Sequence, residues 1–420
     1  MRKAVFLALA LAPAVLLRGA QAAPPASSDA AADVRLLGRA LEEIHPDLFR
    51  NVSRKRFRAE VDRLARSAPS LTRNELLVGV MRIASLPGSR NGHTGLFPLA
   101  GHARPLHLYH LRLYDFADGI HVVDETGDQG LVGARLQAIA GTPIEGVLER
   151  VRPLVPRDNP SSLRAGAPHF ALVAEVLDGL GITEDAGSTE FRFSRPDGQI
   201  VDVTLAPIES AEYAAAFADP RHGHYPAVLP SAPRPPYLAH MGRELWLTEL
   251  AGGRVVYVGY NSAQPSTVGI ARRIARLACQ PAVRRIVVDV RLNGGGNNAT
   301  YGPLLQTLGS PAVNRRGRLY LLIGRATFSA AGTFAAEVER DTQAMLVGEP
   351  TGGGVNQYGD ATPFALRSLG WTVYVATSYV VRGTEKDRRL AVEPDIRVDV
   401  TSADFLAARD PVLERVLRRS

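Results

Sequence analysis

The sequence predicts an α/β fold entered through a helical region and a β-rich one, and three observations carry that expectation. After about residue 244, strands and helices alternate, and strands such as "IVVDV" and "LYLLI" are apolar without a break, as strands covered on both faces are. From about 30 to 100, apolar residues recur at helical spacing. Between about 105 and 210 the texture changes to short strands set off by Gly and Asp. A chain of 420 residues has length for more than one unit and for a sizeable core.

The first 22 residues read as an export leader. "MRK" supplies a basic start, "AVFLALALAPAVLL" an apolar core and Ala20-Gln21-Ala22 a small-residue cleavage site. The apolar core is short for a bilayer, and Pro13 interrupts it. No later segment offers ~18 consecutive apolar residues, so an exported chain, periplasmic or secreted, with no membrane span after cleavage is expected. The helical region, 23–100, follows. "AADVRLLGRALEEI" places Val34, Leu37, Ala40, Leu41 and Ile44 on one face, and "RKRFRAEVDRLARSA" repeats the pattern with Phe57, Val61 and Leu64. A third helix, "NELLVGVMRIASL", ends at Pro87-Gly88 and leaves His93 on the loop "RNGHTGL".

In 101–215, "LHLYHLRLYDF", "GIHVVDET" and "GARLQAIAGTPI" read as strands, "TPIEGVLERVRPLV" as a helix, and "TEFRFSRPDGQIVDVTL" as a hairpin turning on Asp-Gly. The run "GLVGARLQAIAGTPIEGVLERV" resembles the part of a PDZ domain where a strand and tight turn precede a helix, a domain type that can bind a peptide as an added strand. A proline-rich linker is expected over 216–243. Its His222-Gly223-His224 lacks further ligands at characteristic spacing and reads as surface loop rather than metal site.

The last unit, 244–420, holds the strands "RVVYVGYN", "RRIVVDVR", "RLYLLIG" and "AMLVGE", helices over 267–280 and 329–340, and "GWTVYVATSYVVRG" as one long strand. The single cysteine, Cys279, follows a helical stripe containing Ile270, Ile274, Leu277 and Ala278, and is expected to be buried and inert. One cysteine excludes an internal disulfide and a cysteine-based metal site. The chain carries 49 basic and 42 acidic residues, net +7, falling to +4 when Arg2, Lys3 and Arg18 leave with the leader. That mild charge, with no basic run interleaved with aromatics, argues against a nucleic-acid partner.

Chemistry concentrates in "RATFSAAGTFAAEVERDTQAMLVGEPTGGG", residues 325–354. Ser329 follows a strand and a turn and opens a helix. Serine is a preferred N-cap, but the same location suits a nucleophile, because first-turn N–H groups point at a developing oxyanion. The N–H of Ala330 is a natural donor. A second donor is offered by Gly294-Gly295-Gly296, where glycines let the backbone approach a ligand closely. A phosphate loop is excluded, since no Gly-Lys-Ser/Thr follows.

Together "VVDVRLNGGG", "GRATFSAAGTFA", "MLVGEPTGGG", "VEPDIRV" and "RDPVLERVL" resemble, in order, the tail-specific or C-terminal processing serine proteases and their relatives around the tricorn protease core. The resemblance implies a ClpP/crotonase-like catalytic domain over 244–420, a polypeptide substrate, no metal and no cofactor. It implies Ser329 as nucleophile, with the backbone N–H groups of Ala330 and of Gly294 or Gly295 as oxyanion donors. The better-known branch pairs its serine with a lysine, but the matching position is Gly354. Of the three lysines, Lys3 leaves with the leader, Lys55 lies in a charged helix, and Lys386 sits among Glu385, Asp387 and Arg388, where a neutral amine is disfavoured. The tricorn-like branch uses a histidine from a D-G-H-T-like motif, and "RNGHTGL" supplies His93 with Asn91 in place of the acid. Histidine accepts a proton near neutral pH without large tuning. The same branch adds a glutamate ahead of the "PD" motif, for which Glu385 is preferred and Asp387 is the alternative. The fold also resembles the modules of interphotoreceptor retinoid-binding protein, so a non-catalytic binder of an apolar ligand is the rival reading.

Overall fold

The structure, a computed structural model, describes residues 27–127, 129–218 and 234–418. The leader, His222, His224 and most of the expected linker lie outside the described residues.

The C-terminal unit is built on a six-stranded sheet. From one edge the order is Ile396–Arg397, Met345–Gly348, Leu319–Ile323, Arg285–Asp289, Val255–Tyr260 and Leu245–Leu250. All neighbours are parallel except the last pair, which is antiparallel. Alternate residues face opposite layers, as the two-residue period of a strand requires. Val256, Val258, Ile286, Val288, Leu319 and Leu321 meet the helices Val268–Ala278, Gly302–Leu308 and Ala330–Asp341. Val255, Tyr257, Val287, Tyr320, Leu322 and Val347 meet Val412, Leu413 and Val416 of the C-terminal helix Pro411–Leu417. That covering of both faces is why these strands read as unbroken apolar runs.

Two of the sequence motifs earn their place here. Asp395 of "VEPDIRV" accepts the Leu346 N–H at 2.8 Å and ties the edge strand down. Asp410 of "RDPVLERVL" caps the last helix by accepting the Leu413 N–H at 3.0 Å. It also grips Arg291 (Nη2–Oδ2 2.7 Å), which is held in turn by Asp289 at 2.6 Å. This buried triad fixes the point where the strand Arg285–Asp289 opens into the glycine run.

The helices Ser27–Ile44, Arg54–Ser67 and Arg73–Ser85 form as the periodicity predicts, the last opened by a capping box of Thr72 and Glu75. They share one core with an antiparallel sheet of Leu111–Phe116, Gly119–Glu125, Arg135–Ile139, Thr189–Ser194 and Ile200–Leu205. The expected Asp197-Gly198 turn joins the last two strands, with Ser194 opposite Ile200.

Three expectations are corrected. "GWTVYVATSYVVRG" is two strands with different partners. Trp371–Val375 pairs with Thr362–Leu366, and Ser378–Val381 pairs with Asn356–Gly359. The first of these hairpins lies outside the six-stranded sheet, and Leu366, Trp371, Val373 and Val375 pack into the N-terminal core. Cys279 is exposed, because it caps the helix just past its buried stripe of Ala271, Ile274, Leu277 and Ala278. The start of the expected linker belongs to the helix Ser210–Ala218. Among the described residues no helix is long and apolar enough to cross a membrane.

Candidate active site

Ser329 stands at the start of the helix Ala330–Asp341 with φ 51° and ψ −125°. A positive φ on a residue with a Cβ is strained by about 1–3 kcal/mol and survives only where the surroundings impose it. The surroundings here are glycines. A Cβ on Gly295, itself at φ 113°, would fall 2.5 Å from the Ser329 Cβ, and one on Gly353 would fall 3.2 Å from the Ser329 nitrogen. The serine hydroxyl makes no capping bond to its helix. Instead Oγ lies 3.0 Å from His93 Nε2.

His93 is carried by a loop fastened on two sides. Gly95 exchanges two 2.9 Å backbone bonds with Tyr374, and Thr94 Oγ1 accepts the Ala376 N–H at 3.1 Å. The strand Trp371–Val375 therefore pins the histidine loop from outside the six-stranded sheet. On the other side, Arg90 and Asn91 donate backbone N–H groups to the carbonyls of Asp158 and Arg157. The His93 ring stacks on Phe328, centroids 4.6 Å apart and planes 24° apart. Burial pushes its pKa down to about 4, against the opposing pull of the Asp360 charge and the Tyr358 backbone. The imidazole is thus neutral at pH 7 and able to accept a proton. Its Nδ1 is buried without a well-formed hydrogen bond.

The oxyanion expectations divide. The N–H groups of Ala330 and Gly294 have no acceptor among the described residues. The Gly295 N–H is committed to Asn293 Oδ1 at 2.9 Å. Of the two glycines, Gly294 is the available donor, and Gly295 provides the space for Ser329. The expected carboxylate is also corrected. Glu385 is exposed, on a turn that faces solvent, and no hydrogen bond or ion pair joins it to His93. Asp387 is held by Arg389 at 2.8 Å, which keeps its carboxyl below the ordinary range. Lys55 and Lys386 are exposed. At Gly354, where the other branch places lysine, a Cβ would fall 2.9 Å from the Asn356 carbonyl.

Two residues escaped the sequence reading. Asp158 is fully buried and accepts Gly92 N–H on Oδ1 at 2.7 Å and Gly354 N–H on Oδ2 at 3.2 Å. It bridges the histidine loop and the glycine run beside Ser329, and burial pushes its pKa up to about 6. Asn159 donates to the carbonyls of Thr351, Gly352 and Leu390 from the same clasp. The Asn-Pro step does signal a helix start, and Asn159 caps Pro160–Phe170. Nothing in the local sequence marks Asp158 as buried.

A serine hydroxyl facing a neutral imidazole, on an α/β unit with uncommitted N–H groups nearby, is an arrangement able to carry serine-hydrolase chemistry. Residues 298–398, about a quarter of the chain, match the model described as Peptidase family S41, and the match supports a serine protease. Ser329 lies inside the matched span and His93 outside it. Among solved structures, a CPAF mutant aligns with a TM-score of 0.65 at 12% identity, covering 94% of this chain and 99% of that one. Mature CPAF complexed with lactacystin aligns at 0.63 and 13% identity, covering 94% and 97%. At such identities the likeness shows the fold, an α/β ClpP-like unit with an additional β domain. No curated protein matches the chain in sequence.

Proposed function

We propose that the protein is an exported serine endopeptidase working through Ser329 and His93 without a metal or cofactor. The observation that carries the reading is the 3.0 Å approach of Ser329 Oγ to His93 Nε2, between residues 236 positions apart in sequence. Ser329 attacks the carbonyl carbon of a peptide bond while His93 takes its proton on Nε2. The N–H groups of Ala330 and Gly294 receive the negative charge that develops on the carbonyl oxygen. The imidazolium then protonates the leaving amine, the C–N bond breaks, and water activated by the same histidine releases the acyl group.

The test joins two assays on purified mature protein. A fluorophosphonate probe should label the wild type and not Ser329→Ala, and an unfolded polypeptide should be cleaved internally by the wild type alone. Absence of labelling would favour the apolar-ligand binder on the same fold. N-terminal sequencing of exported protein should begin near Ala23, and an intact Met1 on exported soluble protein would overturn the leader.

A further inference from the structure

A cavity of about 290 Å³ lies between the strand Leu111–Phe116 and the helix Pro160–Phe170, and its wall includes Phe328, the residue before the proposed nucleophile. Gly92, Gly294 and Phe328 belong to its wall, so it is continuous with the histidine loop, the free oxyanion donor and the ring that stacks on His93. Phe97, Leu99, Leu113, Val155 and Phe170 line the rest with apolar surface. An engineered apolar cavity of roughly 150 Å³ holds benzene, so this one has room for a large side chain.

The charged residues in the wall are already matched. Arg164 forms a two-pronged pair with Asp115 at 2.8 and 2.9 Å. Arg325 pairs with Glu349 at 3.1 Å and caps the Asp115 carbonyl at 2.6 Å. Arg112 lies over the Phe217 ring, 4.6 Å from its centroid. His169 is held neutral by burial and by Arg112, its pKa pushed down to about 4. A charged side chain entering this space would lose its hydration and find its counter-charges engaged.

We propose that this cavity receives a large apolar side chain, aromatic or branched aliphatic, of the substrate residue flanking the scissile bond. The inference rests on the peptidase reading and adds the substrate class. It assigns specificity to two walls, Leu111–Phe116 and Pro160–Phe170, that lie outside the matched peptidase span. Small or charged residues in that position are turned over slowly because they leave apolar wall exposed or bring an unpaired charge into it.

The experiment uses the mature chain and Ala165→Trp. Ala165 is exposed, lines the cavity and takes no part in the Ser329–His93 chemistry, so a larger side chain there narrows the cavity without overpacking the core. Ala214→Leu, from the helix Ser210–Ala218, is a second filling variant should the first fail to fold. Quenched peptides that differ only in the residue flanking the cleaved bond are compared by kcat/KM. Phe and Leu peptides are expected to exceed the Ala peptide by ~10–100-fold, the range for burying one such side chain, with Lys and Asp peptides below Ala. In Ala165→Trp the Phe advantage should shrink while the Ala peptide is little changed. A second arm measures protection of Ser329 from fluorophosphonate by 2-phenylethylboronic and methylboronic acids. The phenylethyl compound should protect at concentrations at least tenfold lower, and Ala165→Trp should erase the difference. Equal protection by both acids, a flat or charge-favouring peptide profile, or a profile unmoved by either filling variant overturns the assignment. Selective protection without cleavage of any peptide upholds the apolar pocket and overturns the peptidase reading instead.

Discussion

Asp158→Asn separates the positioning of the histidine loop from the chemistry of His93. The carboxylate accepts two buried N–H groups, Gly92 at 2.7 Å and Gly354 at 3.2 Å. An amide has one oxygen and one NH₂. If its oxygen keeps the shorter bond, the NH₂ faces the Gly354 N–H, donor against donor, and a buried N–H left unsatisfied costs about 1–3 kcal/mol. The strain falls on the two segments that set the Ser329–His93 distance. A misplacement of about 1 Å can lower a rate by ~10²-fold, so kcat should fall by ~10–100-fold with KM little changed.

The pH profile makes the test specific. Protonating Asp158 puts an O–H where one of its two N–H donors points, so wild-type activity should fall as pH drops through about 6. In Asp158→Asn that limb should vanish and leave only the limb of His93, near pH 4. Stability runs the other way. The folded pKa lies above the ordinary value of 3.8, so this group's contribution is complete below 3.8 and is lost as pH rises towards about 6. Activity that rises through pH 6 while this contribution to stability declines cannot be a folding artefact. A folded Asp158→Asn with kcat near wild type and an unmoved acid limb would refute the clasp.

Three further outcomes follow from the same geometry. His93→Ala should lower turnover by ~10²–10⁴-fold, and its combination with Ser329→Ala should be scarcely worse than Ser329→Ala alone, because members of one catalytic unit are non-additive. Steady-state assay of the folded variants checks this, and near-normal turnover would place the base elsewhere. Lys386→Ala should leave turnover close to wild type, since the side chain is exposed, and a loss as deep as that of Ser329→Ala would restore lysine as the base. Arg291→Ala strands Asp289 and Asp410 as buried charges and should lower unfolding free energy by about 3–5 kcal/mol, read from urea unfolding.

What the sequence made legible depended on whether the signal was local. Helical stripes such as Val34, Leu37 and Leu41, and strands such as Leu319–Ile323, announce themselves because burial writes a period into the chain. Ser329 could be singled out because a serine between a strand and a helix, near glycines, is a local pattern. The hairpin Thr362–Leu366 with Trp371–Val375 could not be placed, since its pattern says that one face is buried but not against what. Asp158 was invisible for the same reason. Its role comes from donors at 92 and 354, and no short window contains all three.

The corrected position of Glu385 bears on how the proposed base functions. In a serine–histidine–carboxylate arrangement the acid fixes the ring's tautomer and stabilises the imidazolium. Here Nδ1 has no such partner, and the ring is held by other means: the stack on Phe328, the Gly95–Tyr374 bridge and the Asp158 clasp. Burial keeps His93 neutral, which favours the state ready to accept a proton and penalises the imidazolium that forms next. The charge that opposes this penalty belongs to Asp360, an exposed residue whose carboxylate accepts the Ser378 hydroxyl at 2.5 Å. An exposed charge is screened by solvent and salt, so its support for the imidazolium is weak. On this chemistry the site relies on orientation and on the Ala330 and Gly294 donors more than on a strong base, and salt should depress kcat by weakening the Asp360 contribution while leaving the labelled fraction of Ser329 unchanged at long times.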